Sequence, residues 1–345
     1  MKALKSIVAL ALCAVLLTAC SNGASKNTPG SSPDKASPSP AATEPLETPE
    51  VTATPNYGDA VPEPIQQEGE KEPVLKVYDT AQNQVVEQEL EDYVAHVLAG
   101  EMKSDWPKEA LKAQAILART FVLYFVTEKE SMYEGANIST DIKEAQAYNT
   151  EGIDENILAA VEETRGEVVL YNGKPINAWF HAHAGGKTAM SKEGLNYEGD
   201  EPPYIQSVDS PDSDKAPEED ASWTASFTKE EVLAALQSSG VSVQSVDAIE
   251  VGETGASGRA ITLKIGEAAI NAADFRIKLG SQKLKSTLLE DITVEAGKVI
   301  FTGRGYGHGV GMSQWGAYGM AEEGKTGEEI VQYYFKDVAI QKLWE

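Results

Sequence analysis

The chain has 345 residues, with 54 Asp and Glu against 29 Lys and Arg, and a formal charge of −25. That excess of negative charge argues against nucleic acid and anionic lipid surfaces as partners, since both repel it. Two cysteines in such a length exclude a disulfide-rich scaffold.

Lys2 and Lys5 open the chain, residues 7–17 form an almost unbroken apolar run, and Leu17-Thr18-Ala19-Cys20 follows. This pattern predicts a secretory signal over residues 1–19, with a core too short for an ordinary membrane span. The small residues before Cys20 resemble a bacterial lipobox, which implies cleavage before Cys20 and lipidation of its thiol. The plain alternative is a signal peptide followed by an unrelated cysteine. Cys13 leaves with the signal, so the mature chain has no disulfide and no cysteine-ligated metal. Residues 20–73 carry ten of the 16 prolines among Ser, Thr, Ala and Glu. They read as a disordered tether that reaches roughly 150 Å when extended at about 3.1 Å per residue. Residues 74–345 remain for one large domain or two intimate lobes.

Leu90, Val94, Val97 and Leu98 recur at helical spacing, with Gly100 as the expected stop. A second helix is predicted from Pro107, its buried stripe being Leu111, Ala115, Ala118 and Val122. Residues 167–171, Asn172-Gly173 and residues 174–183 read as a hairpin with a type I′ turn. The acidic stretch 198–220 lacks the ordered ligand pattern of a calcium loop and reads as a solvated face. Thr228 with Glu231, and Thr326 with Glu329, form capping boxes; Asn271 and Gly280 bracket a short helix. Strands are expected at 242–251, at 259–265 and as a hairpin around 292–302. Helices and antiparallel pairs mix without a βαβ rhythm, which makes the fold α+β, with two intimate lobes flanking a cleft.

Four features bear on chemistry. Glu101 lies between the first two helices, close to Trp106; apolar shielding there raises a carboxyl pKa and makes a general acid. The alternative is a solvent-exposed glutamate at a helix junction. Gln114 and Arg119 sit among apolar residues on the second helix, and a cation so placed has a carboxylate partner or snorkels to the surface. His181 and His183, two apart on a strand, share one face with Trp179, a spacing that suits a metal with His308 or Glu101 as a third ligand. Exposed strand histidines are the alternative. Finally, GRGYGHGVGMSQWGA (residues 303–317) places five glycines at alternate positions. The parity excludes a G-x-G-x-x-G phosphate loop, and no Gly-Lys-Ser/Thr is present. If extended, the stretch has one bare face, with Arg304, Tyr306, His308, Val310 and Met312 on the other. A bare face lets a ligand or a neighbouring backbone approach closely.

Three segments, AGEMKSDWPKEALKAQAILART (99–120), WFHAHAGGKT (179–188) and GRGYGHGVGMSQWGA, together resemble the SpoIID/LytB domain family of sporulation stage II protein D and the amidase enhancers. The resemblance spans nearly all of residues 74–345. It implies a lytic transglycosylase acting on peptidoglycan glycan strands, stripped of stem peptides in sporulation members, and needing no cofactor. Glu101 occupies the position of the family's catalytic glutamate, and Lys112, Gln114 and Arg119 match its pattern on the following helix. Lys103 stands where the family usually has proline. His181 matches a histidine that joins downstream cysteines around a metal in some members, but no cysteine follows here.

On that reading Glu101 and Arg119 are catalytic, with Arg119 orienting Glu101 or the helix junction. Lys112, Gln114, His181, Tyr204, Tyr306, His308, Ser313 and Gln314 bind substrate. The glycine-rich stretch forms a wall of the glycan cleft. Implied partners are peptidoglycan and a cell-wall amidase, with the membrane touched only through the lipid on Cys20, on the outer face of the cell membrane. A non-catalytic peptidoglycan binder that enhances an amidase is the second reading. A metal-dependent hydrolase built on His181, His183 and His308 is the third.

Overall fold

The computed structural model describes residues 57–345. The signal, Cys20 and the first part of the expected tether lie outside the described residues. The end of that tether is corrected: Tyr57, Ala60, Val61 and Ile65 are buried in the main core, and the Tyr57 hydroxyl donates to the Lys71 carbonyl at 2.5 Å. Few as they are, these apolar side chains bury enough surface to order the last part of the segment.

The fold is α+β, with small sheets and helices around two hydrophobic clusters. The first cluster takes residues from both ends of the described chain. At its centre runs the helix Lys108–Glu128, about 31 Å long at 1.5 Å per residue. Its length and composition would span a membrane, but Leu111, Ala115, Ala118 and Val122 are buried, together with neighbours on its other faces, so it is the core helix. Against it pack the helices Leu90–Glu101, Glu155–Glu163, Gln314–Glu322 and Gly327–Tyr334 and the strand Glu167–Tyr171. The predicted hairpin turn forms, Asn172 and Gly173 both having positive φ. Its second strand, however, is only Lys174–Pro175; Phe180–His181 then pairs in parallel with Met312–Ser313.

The second cluster belongs to the chain between residues 222 and 304. The sheet Leu289–Glu295, Lys298–Arg304 and Ser222–Thr228 is antiparallel throughout. Helices Lys229–Ser238 and Ala272–Leu279 pack beside it, started by the Thr228–Glu231 capping box and by the Asn271 side chain. The strand expected at 242–251 shrinks to Glu250–Val251, because Val246 and Ile249 enter this core from irregular chain. Arg259, fully buried, ties the two regions: its guanidinium donates to the carbonyls of Lys187 (2.8 Å) and Ala184 (2.6 Å).

The glycine-rich stretch departs from its expected form. The strand ends at Arg304, and Gly305, Gly307, Gly309 and Gly311 all have positive φ, from 72° to 109°. It is therefore a chain alternating between left-handed and ordinary conformations, and not a bare-faced strand. The glycines are also contact points. A Cβ at Gly305 would lie 2.8 Å from the His183 carbonyl, one at Gly307 2.7 Å from the His181 Cβ, and one at Gly311 would overlap the Trp179 carbonyl. The stretch locks onto residues 179–185, through His183 N–H to Tyr306 O (2.9 Å), its reciprocal (2.8 Å) and Met312 N–H to Trp179 O (3.1 Å). Close packing inside the protein, the alternative to a cleft wall, is what forms.

Candidate active site

Glu101 is the last residue of helix Leu90–Glu101, and the chain leaves it in an extended conformation at Met102. Gly100 is not the stop; it lies inside the last turn. A Cβ there would come within 2.8 Å of the Ala147 carbonyl carbon and oxygen and 2.9 Å of the Tyr148 nitrogen. The missing side chain thus lets the 147–148 backbone press against the helix end. From there the Ala147 N–H donates to Glu101 Oε1 at 2.7 Å. On another side, Gln314 Nε2 reaches the Glu101 carbonyl and Gln114 Oε1, both at 3.4 Å. Burial raises the Glu101 carboxyl above its ordinary value, and the opposing hydrogen bonds from Ala147 and Gln314 do not cancel the effect. None of the ion pairs among the described residues involves Glu101. A shielded carboxyl without a cation keeps its proton to higher pH, which is what a general acid requires.

Gln114 and Gln314 therefore meet at Glu101, although they lie two hundred positions apart. Gln114 is fully buried, and its Nε2 finds no partner. Arg119 is corrected. Its guanidinium clasps Glu91, with Nε to Oε1 at 2.9 Å and Nη2 to Oε2 at 2.6 Å, and Nη1 also donates to the Glu167 carbonyl at 3.1 Å. Glu91 also accepts from Gly166 N–H and Trp344 Nε1, each at 3.0 Å. This is a structural ion pair that leaves no donor directed at Glu101. Because Glu91 lies on the helix that ends in Glu101, about 15 Å away along its axis, Arg119 anchors the far end of that helix. Lys112 is likewise engaged elsewhere, with Glu109 at 3.1 Å and Glu163 at 3.9 Å.

The histidines form a separate cluster. His181 is buried with Nδ1 3.2 Å from the Val310 carbonyl, and its Nε2 finds no partner. His308 stands 5.7 Å away between ring centroids, accepts from Val310 N–H at 3.0 Å and bonds the Phe180 backbone. Burial pushes its pKa down to about 3, helped by Arg276 and Arg259, and pushes His181 well below its ordinary value. His183 accepts from Gly185 N–H at 3.0 Å and lies 3.3 Å from Asp212 Oδ2; burial lowers its pKa as well. Among the described residues, no three His, Cys, Asp or Glu side chains gather as a metal site.

Two further residues, Tyr204 and Ser313, take other roles than those expected. Tyr204 is buried in the main core, with its hydroxyl accepting from Asn177 N–H at 2.9 Å, so its ring is not a groove face. Ser313 is fully buried and caps helix Gln314–Glu322, accepting from Gly316 N–H at 3.2 Å and donating to Asp212 at 2.6 Å. Tyr306 is half-buried beneath the Lys285 ammonium, 4.9 Å from its ring centroid. Asp212 was hidden in the acidic stretch read as a solvated face. It gathers Ser210, Ser313, Gly186 N–H and His183 around one buried carboxylate. Composition could not single it out among so many acids. Also unforeseen is an aromatic group beside the site: Trp106 lies 4.3 Å from Trp315 and 5.1 Å from Tyr318 between centroids, and Trp315 lies 5.2 Å from Tyr318.

Fold and site define a class: an α+β protein with a shielded, cation-free carboxyl held by a backbone N–H, and an amide pair on the main chain of the same residue. The stage II sporulation protein family matches residues 78–171, and a domain of unknown function matches residues 204–311. The chain is 34% identical over 283 residues to stage II sporulation protein D of Bacillus subtilis (strain 168), covering 78% of this chain and 79% of that one. It is 35% identical over 260 residues to an uncharacterized protein of Brachyspira hyodysenteriae, covering 74% and 67% respectively. It is also 28% identical over 288 residues to the amidase enhancer of B. subtilis, covering 69% of this chain and 39% of that protein. The chain belongs to the stage II sporulation protein D family.

Proposed function

We propose that this chain acts on the bacterial cell wall as a lytic transglycosylase, cleaving peptidoglycan glycan strands with Glu101 as the single acid and base. The observation that carries the reading is the Glu101 carboxyl, raised by burial, without a cation and held by the Ala147 N–H. In the reaction the protonated carboxyl gives its proton to the glycosidic oxygen as the bond to the anomeric carbon breaks. The sugar's own 6-hydroxyl oxygen then bonds to that carbon, and the Glu101 carboxylate takes the hydroxyl proton. The products are a shortened strand and a 1,6-anhydro end. The acid is restored and no water is consumed, so no second carboxylate is required. Gln314 and Gln114 hold the helix end on which Glu101 sits.

Peptide-free glycan incubated with wild type and Glu101→Gln tests this. Wild type should release 1,6-anhydro ends, seen by mass spectrometry, and the variant none. Ordinary reducing ends would mean a hydrolase, and intact glycan from the wild type would discard the enzymatic reading. The amidase-enhancer relative supports a second reading, a peptidoglycan binder that stimulates an amidase. That reading predicts amidase stimulation undiminished in Glu101→Gln. We place the chain outside the cytoplasmic membrane, held by a lipid on Cys20; a Cys20→Ala form that stayed with the membrane would refute the anchor.

A further inference from the structure

We propose that Trp106, Trp315 and Tyr318 form a stacking platform for sugar rings that seats a neutral glycan beside Glu101. This rests on the reading of Glu101 above and adds a substrate surface that the glycine-rich stretch does not supply.

The argument begins with helix Gln314–Glu322. Gly316 and Gly319 share one face of it. A Cβ at Gly316 would run into the Tyr334 hydroxyl, and one at Gly319 into the Pro211 carbonyl. That face is therefore pressed on its neighbours without side chains between. Gln314 and Tyr318, four apart, lie on the other side, with Trp315 next to them. Gln314 touches the Glu101 main chain at 3.4 Å, so this side of the helix is turned toward Glu101. Trp106 comes from the short connection between Glu101 and helix Lys108–Glu128, where its main-chain N–H donates to the Lys103 carbonyl at 3.2 Å. The rings converge in tilted and edge-on contacts. Trp106 and Tyr318 are partly exposed, whereas Trp315 is mostly covered and backs them.

Partly exposed aromatic rings near Glu101 suit a ligand with apolar faces and many hydroxyls. The electron-rich ring face attracts the polarised C–H groups of a pyranose, and the tyrosine hydroxyl supplies a polar handle. Lys215, a cation at this cluster, is 5.4 Å from the Tyr318 centroid and already paired with Glu322. A neutral sugar ring fits such a surface better than a phosphate or a peptide carboxylate.

The test uses the full chain with Glu101→Gln, titrated with peptide-free glycan chains and followed by tryptophan emission and co-sedimentation. Adding Trp106→Ala or Tyr318→Ala should weaken binding about tenfold or more each. Adding Trp106→Phe should keep binding within about threefold, because a ring face remains, yet remove most of the emission change. The platform is overturned if both alanine variants bind as the parent does, or if the parent binds no glycan. If Trp106→Ala fails to fold, Tyr318→Ala and Trp106→Phe decide the matter. Ring-dependent binding together with a wild type that cleaves nothing would sink the catalytic proposal and leave the platform standing.

Discussion

Replacing Arg119 with methionine separates an anchoring role from a catalytic one. The guanidinium and the Glu91 carboxylate are 0% and 5% exposed and share a bidentate contact. Methionine keeps the apolar stem but leaves the carboxylate with only the Gly166 and Trp344 donors. Breaking a buried pair from one side costs about 3–5 kcal/mol, a large share of the roughly 5–15 kcal/mol that holds a typical domain. The double variant Glu91→Gln/Arg119→Met removes both charges while the glutamine oxygen still accepts from Gly166 and Trp344. It should recover about 2 kcal/mol or more of that loss, a non-additivity that marks direct coupling. Urea unfolding followed by far-ultraviolet circular dichroism measures all four species. Glycan cleavage should fall only as far as the folded fraction falls and return on cooling. An Arg119→Met protein within about 1 kcal/mol of wild type but inactive would refute this reasoning and return Arg119 to the chemistry.

Three other outcomes follow from the site. Burial raises Glu101 above its ordinary 4.5, so the folded protein binds more protons than the unfolded chain between those two values, and stability falls as pH rises through that window. Glu101→Gln should therefore withstand more urea than wild type near about pH 8, with the gap closing toward about pH 4; the opposite order would mean a partner stabilises the carboxylate. Gly100→Ala, which would gain about 1 kcal/mol in an open helix, should instead cost about 1–3 kcal/mol in urea unfolding, because its Cβ meets the Ala147 backbone at 2.8 Å, and should slow cleavage by displacing the N–H on Glu101. His308, with its pKa pushed down to about 3, binds fewer protons than the unfolded chain up to about pH 6.5. Its contribution to stability is lost as pH falls through that range, so His308→Gln should flatten the acid limb of stability and spare more cleavage than Glu101→Gln does.

The sequence is most readable where chemistry is local. The pairs Thr228–Glu231 and Thr326–Glu329 start their helices as expected, because the capping box is closed within four residues. Asn172-Gly173 makes its turn for the same reason. What fails is set by distant partners. Nothing near Arg119 announces Glu91, and nothing near Asp212 announces a histidine and a serine from distant parts of the chain. Alternate glycines read equally well as a strand face and as a chain with every second φ positive, since spacing carries no sign of φ; only contact with residues 179–185 decides.

Glu101 stands between these cases. Its place at a helix end is legible, but its environment depends on a glycine that looks like a stop signal and acts as a gap. Gly100 admits the Ala147 backbone, and that approach both shields the carboxyl and gives it its hydrogen bond. One missing methyl group thus contributes to the burial that raises the pKa and to the bond that opposes the rise. The net upward shift shows that desolvation is the larger effect at this carboxyl. A neighbouring lysine or arginine would reverse that balance and hold the group ionised, so the lack of a cation partner among the described residues matters as much to an acid at this position as the carboxyl itself.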